Sequence, residues 1–145
     1  MPDQPLDHAG LEPLPFDTCL ELLASAHLGR IGFQADGELV ILPVNHAMDG
    51  QDVVFRTSRG SKLATASEQG LVAFETDAYD PGRRSGWSVL VTGRATVVYE
   101  DAEIQRLNQL GLDHWTVNVA HPFWVRIRPT SVTGRRTPGG APEHS

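Results

Sequence analysis

Residues 28–63 read LGRIGFQADGELVILPVNHAMDGQDVVFRTSRGSKL, and the fold class turns on this stretch. Leu28 to Gln34 is a β-rich run, and Asp36-Gly37 behind it is a strong hairpin signal. Leu39 to His46 returns as a largely apolar strand, Asp49-Gly50 turns the chain again, and Asp52 to Thr57 makes a third strand. Three strands joined by tight turns in so short a segment leave no room for the crossover helices of a parallel sheet.

The pattern continues outward. Downstream, a helix is expected near Lys62 to Glu68, a strand over Leu71 to Thr76, and a long alternating strand over Trp87 to Tyr99 with Gly93 as a bulge or bend. Asp101 starts a helix to about Leu112. Phe123 to Arg128 closes the chain with Phe123, Val125 and Ile127 on one face and Trp124, Arg126 and Arg128 on the other. Upstream, Asp17 or Thr18 caps a helix through about Ala26, with Leu20, Leu23 and Ala24 on one face. The expected class is mainly β with short helices, an antiparallel barrel. Residues 1–15 and 137–145, rich in Pro, Gly and polar residues, read as flexible tails around one domain over 16–136.

Composition narrows the function. A chain of 145 residues suits one domain, and a net charge of -6 argues against nucleic acid or an anionic membrane surface as partner. The single cysteine, Cys19, forbids an intrachain disulfide and favours a cytoplasmic location. No signal peptide and no membrane-spanning apolar run is present. Neither the dinucleotide fingerprint G-x-G-x-x-G nor the phosphate loop GxxxxGK[ST] occurs.

One segment points to an anion. Val53 to Leu63, VVFRTSRGSKL, delivers Arg56 and Thr57 at a strand end, then a glycine loop, then Ser61 and Lys62 where a helical pattern begins. Two cations, two hydroxyls and the free N–H groups of a helix start suit a phosphate monoester.

Together with VAFETD (residues 72–77) and GWSVLVTGRATVV (residues 86–98), the opening stretch resembles the flavin-binding split-barrel family, the pyridoxamine 5′-phosphate oxidase-like proteins, in their small actinobacterial branch. The resemblance covers about residues 16 to 136. It implies a homodimer of six-stranded antiparallel split β-barrels with two flavin mononucleotides (FMN) in clefts between the subunits. By matched positions, Pro43, Val44 and Asn45 would lie nearest the isoalloxazine. Arg56 and Thr57 would contact the cofactor, and Ser61 and Lys62 its phosphate. Trp87 and Ser88 would approach from the partner subunit.

Two departures from the true oxidases matter. Lys62 is followed by Leu63 rather than a second basic residue, and SVTGRRTPGG near the C-terminus lacks the arginine–histidine clamp for the vitamer phosphate. The resemblance therefore implies an oxidoreductase that passes electrons from a reduced donor to a small organic molecule, a quinone or nitro compound, rather than a pyridoxamine phosphate oxidase. The alternatives are a 5-deazaflavin-dependent reductase, whose coenzyme needs a basic groove that Arg83, Arg84, Arg135 and Arg136 would supply, and a non-catalytic flavin or haem carrier or sensor, in which haem would need His46 or another cleft histidine as axial ligand. The remaining candidates read as ordinary structure. His27 and His114 suit capping or packing, and His114 and His121 have no third ligand for zinc. Cys19 among leucines reads as a buried hydrophobe. Ser88 has no visible His–Asp partners.

Overall fold

The computed structural model of the protein describes residues 10–58, 61, 63, 70–112 and 122–138. Eight strands and two helices follow one another as β1 (Glu12–Pro13), α1 (Phe16–Ser25), β2 (Leu28–Ala35), β3 (Glu38–Asn45), β4 (Ala47–Asp49), β5 (Asp52–Ser58), β6 (Leu71–Asp80), β7 (Ser85–Val97), α2 (Asp101–Asn108) and β8 (Pro122–Arg136). All strand pairs are antiparallel, in the order β3-β2-β6-β7-β8-β5-β4, with β1 added beside β8. Only His46 separates β3 from β4, so the two ends of that order are joined through the chain and the sheet curls back on itself.

The turns are those the sequence demands. Asp36 and Gly37 both take positive φ (52° and 79°), the geometry of a two-residue hairpin turn, and they hold Ala35 opposite Glu38. Alternation sorts the side chains. Ile31 and Phe33 of β2, Val53 and Phe55 of β5, Val72 and Phe74 of β6, Val89 and Val91 of β7, and Val125 and Ile127 of β8 fill the inside of the curl. Helix α1 closes one end with Cys19 and Leu23, four residues apart and both buried. It can sit there because β8 offers Gly134, where a Cβ would lie 2.6 Å from the Cys19 sulfur. Burial pushes the Cys19 thiol pKa up.

A second, smaller core lies on the outer face of β5 and β8. Val54, Val98 and Trp124 pack there under Leu107 of α2. This explains why Trp124 and Arg126 are buried along with Val125 and Ile127.

Several sequence expectations need correction. Among the described residues the sheet has eight strands rather than six: the chain beyond the expected Leu39–His46 strand forms a short strand of its own, β4, and Glu12–Pro13 adds another. Helix α1 starts at Phe16, with Pro15 rather than Asp17 or Thr18 at its cap and no side-chain capping bond; proline's fixed φ suits a helix start. Ala24 is exposed, and Cys19 takes its expected place against the core. Strands β6 and β8 run on to Asp80 and Arg136 because each finds a full partner in β7. Helix α2 stops at Asn108, short of Leu112. The helix expected near Lys62 to Glu68 lies outside the described residues except for Leu63, which is buried in the main core.

Gly93 marks a β-bulge, as its sequence suggested. Thr92 pairs with Ser131 but Gly93 pairs with Pro129, so one residue of β8 is left over. A Cβ on Gly93 would stand 2.2 Å from the Arg128 carbonyl oxygen, and backbone cannot yield there. Gly93→Ala is expected to cost about 3 kcal/mol of stability, measured by urea unfolding. An unfolding midpoint equal to wild type would refute the close approach.

Candidate functional site

The residues matched to a cofactor site divide into two groups. Along β8 the partner of Arg56 is Trp124 and the partner of Trp87 is Arg136. Those partners stand about twelve residues apart on one strand, roughly 40 Å of contour, so Arg56 and Trp87 are far apart along β8. Asn45, by contrast, pairs with Leu28, whose carbonyl accepts from Thr76 beside the Asp77–Ser88 pair.

The first group gathers where β3, β4 and β5 meet. Asn45 ends β3 with its amide nitrogen donating to the His27 carbonyl at 3.1 Å. That bond fixes the amide orientation and leaves the buried Oδ1 without a hydrogen-bond partner. Val44 points into the core, while Pro43 is exposed on the outer face. From β5, Thr57 turns its hydroxyl to within 3.1 Å of the Ser61 hydroxyl, and the Ser61 amide donates to Ser58 at 3.4 Å, closing the turn. Lys62 lies outside the described residues.

Arg56 faces the other way. Its guanidinium carbon stands 5.1 Å from the centre of the Trp124 ring, and Nη2 donates to the Leu112 carbonyl at 3.4 Å. Desolvation there lowers its pKa. Trp124 is itself held, its indole N–H donating to the Asn108 carbonyl oxygen at 2.7 Å. Arg56 and Thr57, adjacent in sequence, thus serve opposite faces of β5.

His46 is turned inward and only 2% exposed, its Nε2 lying 2.8 Å from the Leu23 carbonyl and its ring edge-on to Phe74. A carbonyl only accepts, so Nε2 carries the proton and Nδ1 is the ring's lone-pair side. Burial lowers the imidazole pKa, which favours the neutral ring. His27 is exposed, as a capping position allows.

The second group lies at the far end of β7. Ser88 pairs with Asp77 and Arg135 and shares the outer face with Leu90, while Trp87 faces the opposite way and packs against the main core. A groove of about 480 Å³ opens beside Trp87, between α1 and the β6–β7 hairpin.

An ion cluster that the sequence reading did not single out pins α2 to this architecture. Arg126, 5% exposed on β8, donates to Asp52 and Asp49 at 2.8 Å each and also binds Glu103 of α2. Arg106 of α2 grips Asp49 bidentately at 2.6 and 3.0 Å. The Arg106 hydrogen bond, reinforced by Arg126, holds the Asp49 carboxyl at about 2. The signal available in sequence was an arginine alternating with a tryptophan on a strand. Asp49 and Asp52 read instead as turn residues. Among the described residues, no group of three or more His, Cys, Asp or Glu could hold a metal ion, and no helix is long and apolar enough to cross a membrane.

A curled antiparallel sheet of this kind matches the split-barrel proteins. The family described as pyridoxamine 5′-phosphate oxidase matches residues 16–136, and the chain belongs to it. The uncharacterized protein Rv0080 of Mycobacterium tuberculosis is 40% identical over 125 residues, covering 83% of this chain and 81% of that protein. The solved structure of the FAD binding protein from Mycobacterium smegmatis is similar with a TM-score of 0.75 at 37% identity, covering 86% of this chain and 98% of that one. A conserved protein of unknown function from Corynebacterium diphtheriae is similar at 32% identity and TM-score 0.73, over 87% of this chain and 97% of that one.

Proposed function

We propose that this protein binds a flavin in a cleft completed by a second copy of the chain and acts as an oxidoreductase on a small organic molecule. The observation that carries this reading is the strand junction where the Asn45 Oδ1 acceptor lacks a partner and the Thr57 and Ser61 hydroxyls lie together. A flavin offers N–H donors on its pyrimidine edge and a phosphate on its ribityl chain, so the donor set fits the group. Asn45 would take the ring, and Thr57, Ser61 and Lys62 the phosphate. The FAD-binding relative supports a flavin. When bound, the flavin supplies the redox chemistry, and the protein contributes orientation and electrostatics.

Ser88 and Trp87 lie far from Thr57 along β8, and a second copy would bring its own pair to the junction. The outer face supports that arrangement. Leu39, Ile41, Leu71 and Leu90 are 86%, 72%, 63% and 44% exposed, and they share that face with Gly32 and Ala73. Single exposed leucines are ordinary, but four on one face suit burial against a second copy. The polar set of Arg30, Glu75 and Asp77 borders it, with Arg30 reaching both carboxylates at 2.6–3.0 Å.

The test is the visible spectrum of the purified protein, with mass spectrometry of whatever denaturation releases. Released flavin supports the reading. A released 5-deazaflavin would support the reductase alternative instead, and released haem the carrier, which would have to ligate iron through a nitrogen other than the committed His46 Nε2. A colourless protein that takes up none of added flavin, 5-deazaflavin or haem overturns all three. Within the flavin reading, Lys62→Ala is expected to weaken binding by one to two decades, roughly 1.5–3 kcal/mol for one charge-assisted phosphate contact. Unchanged affinity in a fluorescence titration would remove Lys62 from the site.

A further inference from the structure

His46 stands between β3 and β4 and ties that junction to the end of α1 through two carbonyls. Its ring Nε2–H donates to the Leu23 carbonyl at 2.8 Å, and its backbone amide donates to the His27 carbonyl at 3.1 Å. The Asn45 side-chain amide donates to the same His27 carbonyl, also at 3.1 Å. The end of α1 and the side chain proposed to meet the flavin ring are therefore held by one short set of bonds.

Those bonds are built for a neutral imidazole. The ring is buried, its edge against Phe74 with centroids 4.8 Å apart, and its Nδ1 has no hydrogen-bond partner. A proton on Nδ1 would create a charged donor with no acceptor in a site that burial has already made costly for charge. The groups that face the ring do not offset this. Helix α1 presents the Leu23 carbonyl, already taken by Nε2, and β6 presents Phe74. The titratable neighbour is His27, whose positive form adds repulsion.

The ring has somewhere to go. A cavity of about 280 Å³ lies beside His46, between α1 and the residues that follow α2, lined by Ala24, His27, Met48, Leu110 and Leu112. Ala24 and His27 are exposed, so the cavity communicates with solvent. Turning the ring out of the core breaks the Leu23 bond and the Phe74 contact, and frees the end of α1. In water the imidazole regains its ordinary value of 6.5. Above that value both states are neutral and the bonds are at full strength. Below it only the open state takes up the proton, so each further pH unit raises the open population about tenfold until the buried ring itself titrates.

We propose that His46 is an acid-sensitive latch on the flavin junction: its protonation turns the ring out of the core, releases the end of α1 together with the His27 carbonyl that orients Asn45, and lets the flavin go. The coupling to flavin rests on the function proposed above for that junction. The latch itself stands on the contacts of His46, so its test does not require a flavin to be bound.

The experiment compares the full chain one pH unit above and one below the ordinary imidazole value, reading amide hydrogen exchange by NMR without flavin and FMN dissociation by stopped-flow fluorescence. The amides of Ala26 and of position 46 report the latch, since they donate to the Leu22 and His27 carbonyls. Their protection is expected to fall about tenfold on acidification, and FMN dissociation, which needs the open state, to accelerate by about the same factor. His46→Gln keeps a donor without a titrating ring, and His46→Phe keeps a ring without a proton to gain. Both are expected to hold each ratio within about twofold. Every ratio is taken within one protein, so a variant with weaker bonds stays informative. His27→Gln, at an exposed position, is expected to keep the wild-type ratios. Protection that ignores pH, or that falls equally in both His46 variants, overturns the latch. A latch that opens while FMN dissociation stays constant overturns its coupling to the junction. A protein that binds no FMN even at the higher pH overturns the flavin reading and the coupling with it, and exchange still decides the latch.

Discussion

Arg126→Met is expected to lower the unfolding free energy by about 3 kcal/mol at neutral pH, read as a shift in the urea midpoint. Three carboxylates, those of Asp49, Asp52 and Glu103, converge on this one guanidinium, which is almost wholly buried. Removing it leaves them facing one another with only Arg106, a largely exposed partner, to compensate. Breaking a buried pair costs more than the pair contributes net, because the remaining charges keep their desolvation. The carboxylates are 19–28% exposed, which puts the expected loss at the low end of the range for buried ions.

The same cluster fixes an acid limb. The folded-state carboxyl of Asp49 titrates at about 2 against an ordinary value of 3.8. A depressed folded pKa means stability that is fully present above about 4 and lost as pH falls towards about 2. After discounting for residual solvent contact, Asp49 contributes roughly 1 kcal/mol to that limb. The gap between wild type and Arg126→Met is therefore expected to narrow below pH 4, as the orphaned carboxylates take up protons. A gap that stays constant down to pH 2.5 would mean that the methionine acts through packing and not through charge.

Ile41→Asp is expected to leave the isolated chain folded, to convert the protein to a monomer, and to weaken flavin binding at least 100-fold. The position is 72% exposed on β3, so the aspartate costs the fold little. On a face buried against a second copy it would place an unpaired charge among Leu39, Leu71 and Leu90, a loss on the scale of an interface hot spot, about 2–4 kcal/mol. Light scattering and a flavin titration on the same sample read both effects. Tyr99→Asp, equally exposed at 77% but off this face, is the control and should change neither. A dimer that persists with flavin bound would move the interface elsewhere, and a monomer that keeps its flavin would confine the cofactor site to one chain.

The chain's local signals carried most of the fold because they act over a few residues. Asp36-Gly37 makes its turn from the backbone freedom of those two residues alone, and the alternation of Val53 and Phe55 with Val54 assigns faces without reference to anything distant. Gly93 announced its bulge in the same way. The strand ends were less legible. How far β6 and β8 extend depends on whether β7 lies alongside, and no property of Tyr79 or Arg135 states that in isolation.

The site shows the same division more sharply. By itself the sequence determined an antiparallel fold, the polar strand ends at Asn45 and Thr57, and the chemical types gathered there, because these follow from residue identity and spacing along one chain. Tertiary structure alone decided that Arg56 stacks on Trp124 and not beside Thr57, that Asp49 and Asp52 serve Arg126 and not merely a turn, and that Arg136 comes to lie with Trp87 beside a groove. Each of these depends on which face of a curled sheet another element covers, and on contacts between residues tens of positions apart. Those are settled by burial of the whole core and left open by any local preference.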